Sequence, residues 1–183
     1  MTADPALADL LAGRIRDVPD YPLPGVMFKD IAPLLADHAA FAAMVDGLAV
    51  YGGDAAPGGR VDKVVGMEAR GFIVAAPVAY TLGAGFVPVR KQGKLPGATY
   101  ATTYDLEYGT ATLEVQHDAF APGDRVLLVD DVLATGGTAL AAAELVRQAG
   151  GVVVGVAVLI ELAFLGGRAR LPDLDLQALI TVA

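Results

Sequence analysis

The chain alternates short apolar runs with segments whose apolar residues recur at helical spacing. Helical periodicity predicts helices over residues 4–16, 37–51, 70–82 and about 138–148. Runs of β-branched and other apolar residues predict strands over residues 61–67, 86–90, 110–115, 126–129 and 152–160. Continuously apolar strands are typical of parallel sheets that are buried on both faces. The alternation of strands and helices therefore predicts an α/β fold with a central, mainly parallel sheet flanked by helices.

Three segments interrupt this pattern. Residues 18–33 contain four prolines around Tyr21 and Phe28, which predicts an ordered loop and forbids a regular helix. Residues 52–59 are a Gly/Pro turn, and residues 92–108 are polar and rich in Thr and Tyr, which predicts a mobile loop or a hairpin. No internal repeat or linker interrupts the 183 residues, so we expect a single domain spanning residues 1–183.

Composition narrows the classes of function. The net charge of -8 disfavours nucleic acid and membrane surfaces as partners, because both require a basic face, but a small anionic ligand needs only a few local cations. The absence of cysteine excludes disulfides, thiolate nucleophiles and Cys-ligated zinc, and favours a reducing compartment. We see no signal peptide, and the longest apolar run, residues 152–160, is too short to span a bilayer. A cytoplasmic location is the expectation.

The strongest local signal is the segment VLLVDDVLATGGT, residues 126–138. An apolar strand ends in Asp130 and Asp131, and a turn of small residues then opens a helix, where backbone amides and the helix dipole favour a phosphate. No lysine follows the glycines, so this is not a Walker A loop. Two carboxylates beside a phosphate require sugar hydroxyls or a magnesium ion between them, which indicates a ribose 5-phosphate. The alternative is a plain strand–turn–helix junction with acidic capping residues.

This segment resembles the phosphoribosyl-diphosphate motif of the type I phosphoribosyltransferases. The resemblance implies the fold of that family, with a small hood, formed mainly by about 18–35 and the C-terminal segment, and a mobile catalytic loop. It also implies that Asp130 and Asp131 contact the ribose hydroxyls. The residues expected at the 5-phosphate are Ala134, Thr135, Gly136, Gly137 and Thr138.

Further segments resemble the adenine-accepting branch of the family and extend the match over nearly the whole chain. They are residues 20–35, 66–72, 90–97 and 105–109. Ala134 stands where many 6-oxopurine transferases carry an aspartate, and a methyl group cannot exchange a proton. The resemblance implies transfer of the 5-phosphoribosyl group from phosphoribosyl diphosphate to adenine, giving AMP and diphosphate in purine salvage. It further implies a homodimer and Mg²⁺ as cofactor, held mainly through substrate and water.

Site residues follow from the resemblance position by position. Phe28 is expected to stack on adenine while the backbone of Met27 and Lys29 reads its amino edge. The turn after residue 67, with a cis peptide between Glu68 and Ala69, is expected at the diphosphate. The full diphosphate set is Glu68, Ala69, Arg70, Arg90, Lys91 and Lys94.

The expected catalytic residues are Glu107, Asp131 and Arg70. Glu107 would close over the purine and exchange a proton with its ring, and Tyr104 and Tyr108 are candidates for closing the same lid. His38 and His117 match no acid/base or metal pattern.

Other interpretations stay open at this point. Phe28 taken alone is an ordinary core aromatic, and an isolated glutamate or a run of cations is usually solvated surface. The acceptor could be xanthine, hypoxanthine or another base. The same fold could serve a regulator that senses the sugar donor and binds RNA or a protein. A P-loop nucleotide hydrolase is poorly supported, because its lysine is missing.

Overall fold

The structure, a computed structural model, describes residues 4–54, 56, 59–105 and 110–183. Its helices are α1 (Pro5–Ala12), α2 (Ala32–Ala36), α3 (His38–Ala49), α4 (Arg70–Leu82) and α5 (Gly137–Gln148). The strands of the amino-terminal half are β1 (Arg16–Val18), β2 (Phe28–Asp30), β3 (Lys63–Met67) and β4 (Gly85–Lys91). Those that follow are β5 (Thr99–Asp105), β6 (Thr110–Gln116), β7 (Arg125–Leu133), β8 (Val152–Leu162) and β9 (Leu176–Val182).

One sheet of seven strands organises the molecule, in the order β5-β6-β4-β3-β7-β8-β9. The pairs β3–β4, β3–β7, β7–β8 and β8–β9 are parallel, whereas β6 pairs antiparallel with both β4 and β5. The prediction of a mainly parallel sheet is therefore confirmed. Gly66 of β3 lies beside Val129 of β7, so the carboxyl ends of these two strands meet at one edge of the sheet.

Alternate residues of the central strand β7 enter two separate cores. Val126 and Leu128 lie on the face covered by α5, in the same cluster as Leu145. Leu127 and Val129 lie on the opposite face, in the cluster that includes residues of α3 and α4. Both faces of β7 are thus apolar, which is why its sequence is a continuous apolar run rather than an alternating one. The strand is held rigidly from both sides up to the two aspartates near its end.

Most predicted elements are present within a residue or two of their expected bounds, but the opening helix is shorter than predicted. It ends at Ala12, followed by Gly13, and Arg16 instead begins a short strand paired antiparallel with β2. The ion pair between Arg16 Nη2 and Asp30 Oδ2, at 2.6 Å, fastens this strand pair. The helix thus ends before Gly13, and Arg16 pairs with Asp30 of β2, so the prediction of helix over residues 13–16 is wrong.

Two further differences concern prolines and strands. Helix α2 starts inside the proline-rich segment, with Pro33 in its first turn, where the missing N–H of proline has no helical partner to lose. Strand β5 pairs antiparallel with β6, so for the described part of residues 92–108 the structure agrees with the hairpin alternative. Strand β9 is not among the predicted strands. In the described part of the chain, no helix has the length and apolar character needed to cross a membrane.

The two-sided burial of β7 gives a stability prediction. Leu128 is fully buried, so Leu128→Ala is expected to lower the free energy of unfolding by about 2–5 kcal/mol, through lost apolar burial and a residual cavity. Denaturant unfolding followed by circular dichroism measures this. Leu10→Ala, at a site that is 43% exposed, is the control and should change stability by no more than about 0.5 kcal/mol. Equal losses for the two variants would contradict this account of the core.

Candidate active site

Residues 134–138, between β7 and the first turn of α5, form a small pocket suited to binding an anion, which we call the phosphate cradle. Gly136, at φ +80°, is the N-cap residue of α5 and supplies no side-chain cap, so the amides of the first turn keep their hydrogen-bonding capacity for a ligand. A cavity of about 70 Å³ lies at this loop. The residues expected at the 5-phosphate all line it, together with Asp130: Ala134, Thr135, Gly136, Gly137 and Thr138.

Of the two aspartates, Asp130 lines this cavity, and Asp131 follows it on β7. The backbone amide of Asp131 donates to Asp130 Oδ1 at 3.0 Å, and Asp131 is only 5% exposed. Gly71 leaves room for the Asp130 carboxyl, because a Cβ at Gly71 would overlap its Oδ1. Burial raises the pKa of Asp130 well above its usual range, and the neighbouring charge of Asp131 raises it further. The pair therefore carries an unfavourable concentration of negative charge that a ligand or cation would relieve.

Arg70 is the residue that joins the predicted subsites. Its Nε lies 2.7 Å from Asp131 Oδ2. The contact is an ion pair without hydrogen-bond geometry, because that buried oxygen has no hydrogen-bond partner among the described residues. Its Nη1 donates to the backbone oxygen of Lys29 at 3.4 Å, and its guanidinium carbon lies 4.7 Å from the centroid of the Phe28 ring. This side chain, itself expected at the diphosphate, thus contacts residues expected at the ribose and at the base.

Phe28 presents a half-buried ring at the edge of this group. Tyr21 packs against it edge-on, with ring centroids 5.0 Å apart and planes at 72°. Met27 is 48% exposed, and the Lys29 ammonium pairs with Asp17 at 2.7 Å. The Lys29 ammonium is thus engaged with Asp17 and the Lys29 backbone oxygen accepts from Arg70, so the contact of its backbone with a base stays a prediction.

Glu68 gathers the cations that were expected at the diphosphate. Its side chain is 7% exposed and accepts from Arg90 Nε at 3.3 Å, the Lys91 amide at 3.0 Å and the Lys94 ammonium. The Lys94 hydrogen bond is the main cause that lowers the pKa of Glu68. The peptide between Glu68 and Ala69 is cis. Glu68 therefore positions cations, whereas the side chain of Lys91 is exposed and is not drawn into the cluster.

The hairpin strand β5 reaches the phosphate cradle through Tyr104, whose hydroxyl lies 3.1 Å from Thr138 Oγ1. Glu107 and Tyr108 lie outside the described residues, so their roles stay predictions. Sequence reasoning missed Gly167, whose backbone oxygen would be 2.6 Å from a Cβ at Gly136. The pair Gly166–Gly167 was the available signal, but nothing local to it indicated contact with the phosphate loop.

The fold and the loop together define a phosphoribosyltransferase. The sequence profile of the phosphoribosyl transferase domain matches residues 35–175, which is most of the chain. Two solved structures share the architecture. The adenine phosphoribosyltransferase of Rhodothermus marinus has a TM-score of 0.90 and 47% identity, covering 98% of this chain and 100% of its own. That of Saccharomyces cerevisiae, complexed with D-2,5-dideoxy-2,5-imino-altritol 1,6-bisphosphate and adenine, has a TM-score of 0.90 and 38% identity, covering 95% and 98%.

Sequence relatives narrow the class further. The adenine phosphoribosyltransferase of Acidothermus cellulolyticus is 64% identical over 96% of this chain and 97% of its own length. That of Streptomyces coelicolor is 61% identical over 100% of both chains. This chain belongs to the adenine phosphoribosyltransferase family, and the resemblance found in its sequence is confirmed.

The raised pKa of Asp130 predicts that the ionised carboxyl of this residue lowers the stability of the fold. Because the folded state holds the Asp130 proton to higher pH than the unfolded chain, stability is lost as pH rises from the unfolded value of about 3.9. Asp130→Asn removes this loss and keeps an acceptor oxygen for the Asp131 amide. We therefore expect the variant to have a higher melting temperature than the parent at pH 8, with the difference disappearing toward pH 4.

Thermal unfolding monitored by circular dichroism across this pH range tests the predicted difference in melting temperature. Asp118→Asn, at an exposed position, removes one negative charge and serves as the control for net charge alone. A melting temperature of Asp130→Asn at or below that of the parent at pH 8 would show that the buried carboxyl does not destabilise the fold.

Proposed function

We propose that this protein transfers the 5-phosphoribosyl group of phosphoribosyl diphosphate to adenine, giving AMP and diphosphate. The observation that carries the proposal is the position of Arg70, in contact with Asp131, Phe28 and the backbone of Lys29. That side chain brings the predicted ribose, diphosphate and base residues into one site beside the phosphate cradle. The names of the relatives, at about three-fifths identity over nearly full length, support the same acceptor.

Adenine is flat and neutral, and the proposed base site suits it. The Phe28 ring, which packs against Tyr21, offers a face for stacking. The backbone of Met27 and Lys29 would form hydrogen bonds with the amino edge of the base. Backbone groups cannot change protonation, so they discriminate between an amino and an oxo substituent by donor and acceptor pattern alone. In the proposed arrangement Ala134 adds no acid to the phosphate loop.

The sugar donor would lie between the two aspartates and the cradle. Asp130 and Asp131 accept from the ribose hydroxyls, and the loop from Ala134 to Thr138 donates to the 5-phosphate. The diphosphate would lie toward Arg70 and the cations around Glu68, which are Arg90 and Lys94. Lys91 stays a prediction for this subsite.

The described residues fit a magnesium ion that is held jointly by the protein, the substrate and water. Among the described residues, no group of three or more His, Cys, Asp or Glu side chains could hold a metal ion by itself. Asp131 Oδ2, which is paired with Arg70, accepts no hydrogen bond from the residues that the structure describes, so this carboxylate could also bind a cation carried by the substrate. Mg²⁺ commonly binds through one or two carboxylates plus substrate phosphates, with water completing its shell. When bound, it would offset negative charge on the departing diphosphate.

The protein's contribution to the chemistry is orientation and charge management. A ring nitrogen of adenine forms a bond to the anomeric carbon as the bond from that carbon to diphosphate breaks. Asp130 and Asp131 hold the ribose and favour the positive charge that develops on it. Arg70 faces the leaving group, and Glu107 exchanges a proton with the purine ring. The homodimer and the cytoplasmic location stay predictions.

A panel of acceptors tests the proposed reaction. With phosphoribosyl diphosphate and Mg²⁺, we expect adenine to give AMP and diphosphate, while hypoxanthine, guanine and xanthine react at least about 100-fold less efficiently by kcat/KM, because the backbone pattern would be mismatched. A coupled diphosphate assay with nucleotide detection by chromatography measures each base, and EDTA should abolish turnover. Equal turnover of an oxopurine would overturn the assignment of adenine as the acceptor. No turnover with any base would favour the alternative of a regulator that senses the sugar donor.

The assigned proton exchange gives a second test. Glu107→Gln keeps the shape of the side chain but cannot exchange a proton, so we expect the single-turnover rate with adenine to fall by about 10²–10⁴-fold. Glu144→Gln, at an exposed position of α5, is the matched control and should retain the parent rate. Rapid-quench measurement of AMP gives both rates. An unchanged rate in Glu107→Gln would remove this residue from the chemistry.

A further inference from the structure

A turn that follows β8 packs directly on the phosphate loop. The short 3₁₀ helix Gly167–Arg170 begins with a buried glycine. A Cβ at Gly167 would overlap the backbone oxygen of Ala134 and would lie 2.9 Å from the amide nitrogen of Gly136. Backbone therefore lies against backbone here, so any displacement of this turn is transmitted to the loop that is proposed to hold the 5-phosphate.

The position of the turn is fixed by a buried carboxylate. Glu161 is 5% exposed and lies near the end of β8, beside Leu133 of β7 in the sheet register. Arg168 Nε donates to Glu161 Oε1 at 2.9 Å, and Nη2 donates to Oε2. Arg168 Nη1 donates to the backbone oxygen of Leu176, on β9, at 2.7 Å. Three donors of one guanidinium are thus directed at two neighbouring strands.

This arrangement is more restrictive than an ordinary surface ion pair. The described residues give Glu161 no other hydrogen-bond partner, so its buried charge depends on Arg168. The planar guanidinium binds both carboxylate oxygens at once, which fixes orientation as well as distance. Gly167 is the residue immediately before Arg168, so fixing the arginine also fixes the backbone that contacts Ala134 and Gly136.

We infer that the Glu161–Arg168 pair is a positioning device that presses Gly167 against the phosphate loop and thereby sets the affinity of this loop for the 5-phosphate of the donor. The inference rests on the proposed function of that loop. Neither Glu161 nor Arg168 contacts the substrates; both act through Gly167. The base site, formed by a different segment, does not depend on this pair.

The test is a split between the two substrates. Arg168→Gln is expected to raise the KM for phosphoribosyl diphosphate and the inhibition constant of ribose 5-phosphate by about 3- to 10-fold, while the KM for adenine stays within about twofold. Arg168→Lys keeps the charge but loses the planar guanidinium that binds both carboxylate oxygens, so its constants should fall between those of the parent and of Arg168→Gln. Arg170→Gln, on the same turn and exposed, is the control and should leave all three constants unchanged. A purely structural defect would move both KM values or only the active fraction.

Two further variants keep the inference testable if Arg168→Gln does not fold. Gly167→Ala introduces the overlap with Ala134 without touching the ion pair, and the double variant Glu161→Gln/Arg168→Gln removes both charges together. Each should show the same selective loss for donor and ribose 5-phosphate, and unchanged donor constants in both would overturn the inference. If the parent enzyme transfers no ribosyl group, the proposed function fails. Calorimetric titration of ribose 5-phosphate into parent and Gly167→Ala then decides the positioning role by itself, and equal binding would overturn it.

Discussion

The Arg70 guanidinium is the interaction on which the rest of the site depends. Two neighbouring carboxyl groups, one of them with a strongly raised pKa, lie near the end of a buried strand, where their mutual repulsion is weakly screened. Arg70 is the cation that faces Asp131, and the same planar group lies over Phe28. A lysine there could supply charge, but it could not place one flat surface against a ring and another edge against a carboxylate. The residue type is thus dictated by three contacts with different geometric demands.

Strand order determines why these contacts converge. Arg70 begins α4, three residues after β3 ends, and the aspartates lie near the end of β7. Because β3 and β7 are parallel neighbours, both carboxyl ends open at the same edge, which is where ligands bind in sheets of this kind. Gly71 then permits the close approach of α4 to Asp130. A larger residue would separate the two segments and with them the cation from the carboxylates.

Features with a local sequence pattern could be predicted, whereas contacts between residues distant in sequence could not. The strand, the two aspartates and the glycine turn of residues 126–138 carry their own conformational and chemical signals, and the structure brings them together as expected. The contact of Gly167 with the loop and the hydrogen bond between Tyr104 and Thr138 have no local signature, because each depends on a partner more than thirty residues away. Strand β9 does carry an apolar run, residues 176–182, which the strand prediction left out. The prediction of a helix up to residue 16 is wrong because Arg16 pairs with Asp30 of β2, a contact that helical spacing does not reveal.

The charge pattern explains how an acidic chain can hold a polyanion. The cations of the site are paired with carboxylates: Arg70 with Asp131, and Arg90 and Lys94 with Glu68. A simple anion gains little by entering, because it would have to displace a carboxylate that stays nearby. A donor with a phosphate at one end, hydroxyls in the middle and a diphosphate at the other offers something to each group at once. In the proposed arrangement the ribose hydroxyls would bind the aspartates, the diphosphate would bind Arg70, Arg90 and Lys94, and the 5-phosphate would bind the loop before α5. Selectivity for such a ligand would then follow from these local pairs, and the net charge of -8 would be no obstacle to it.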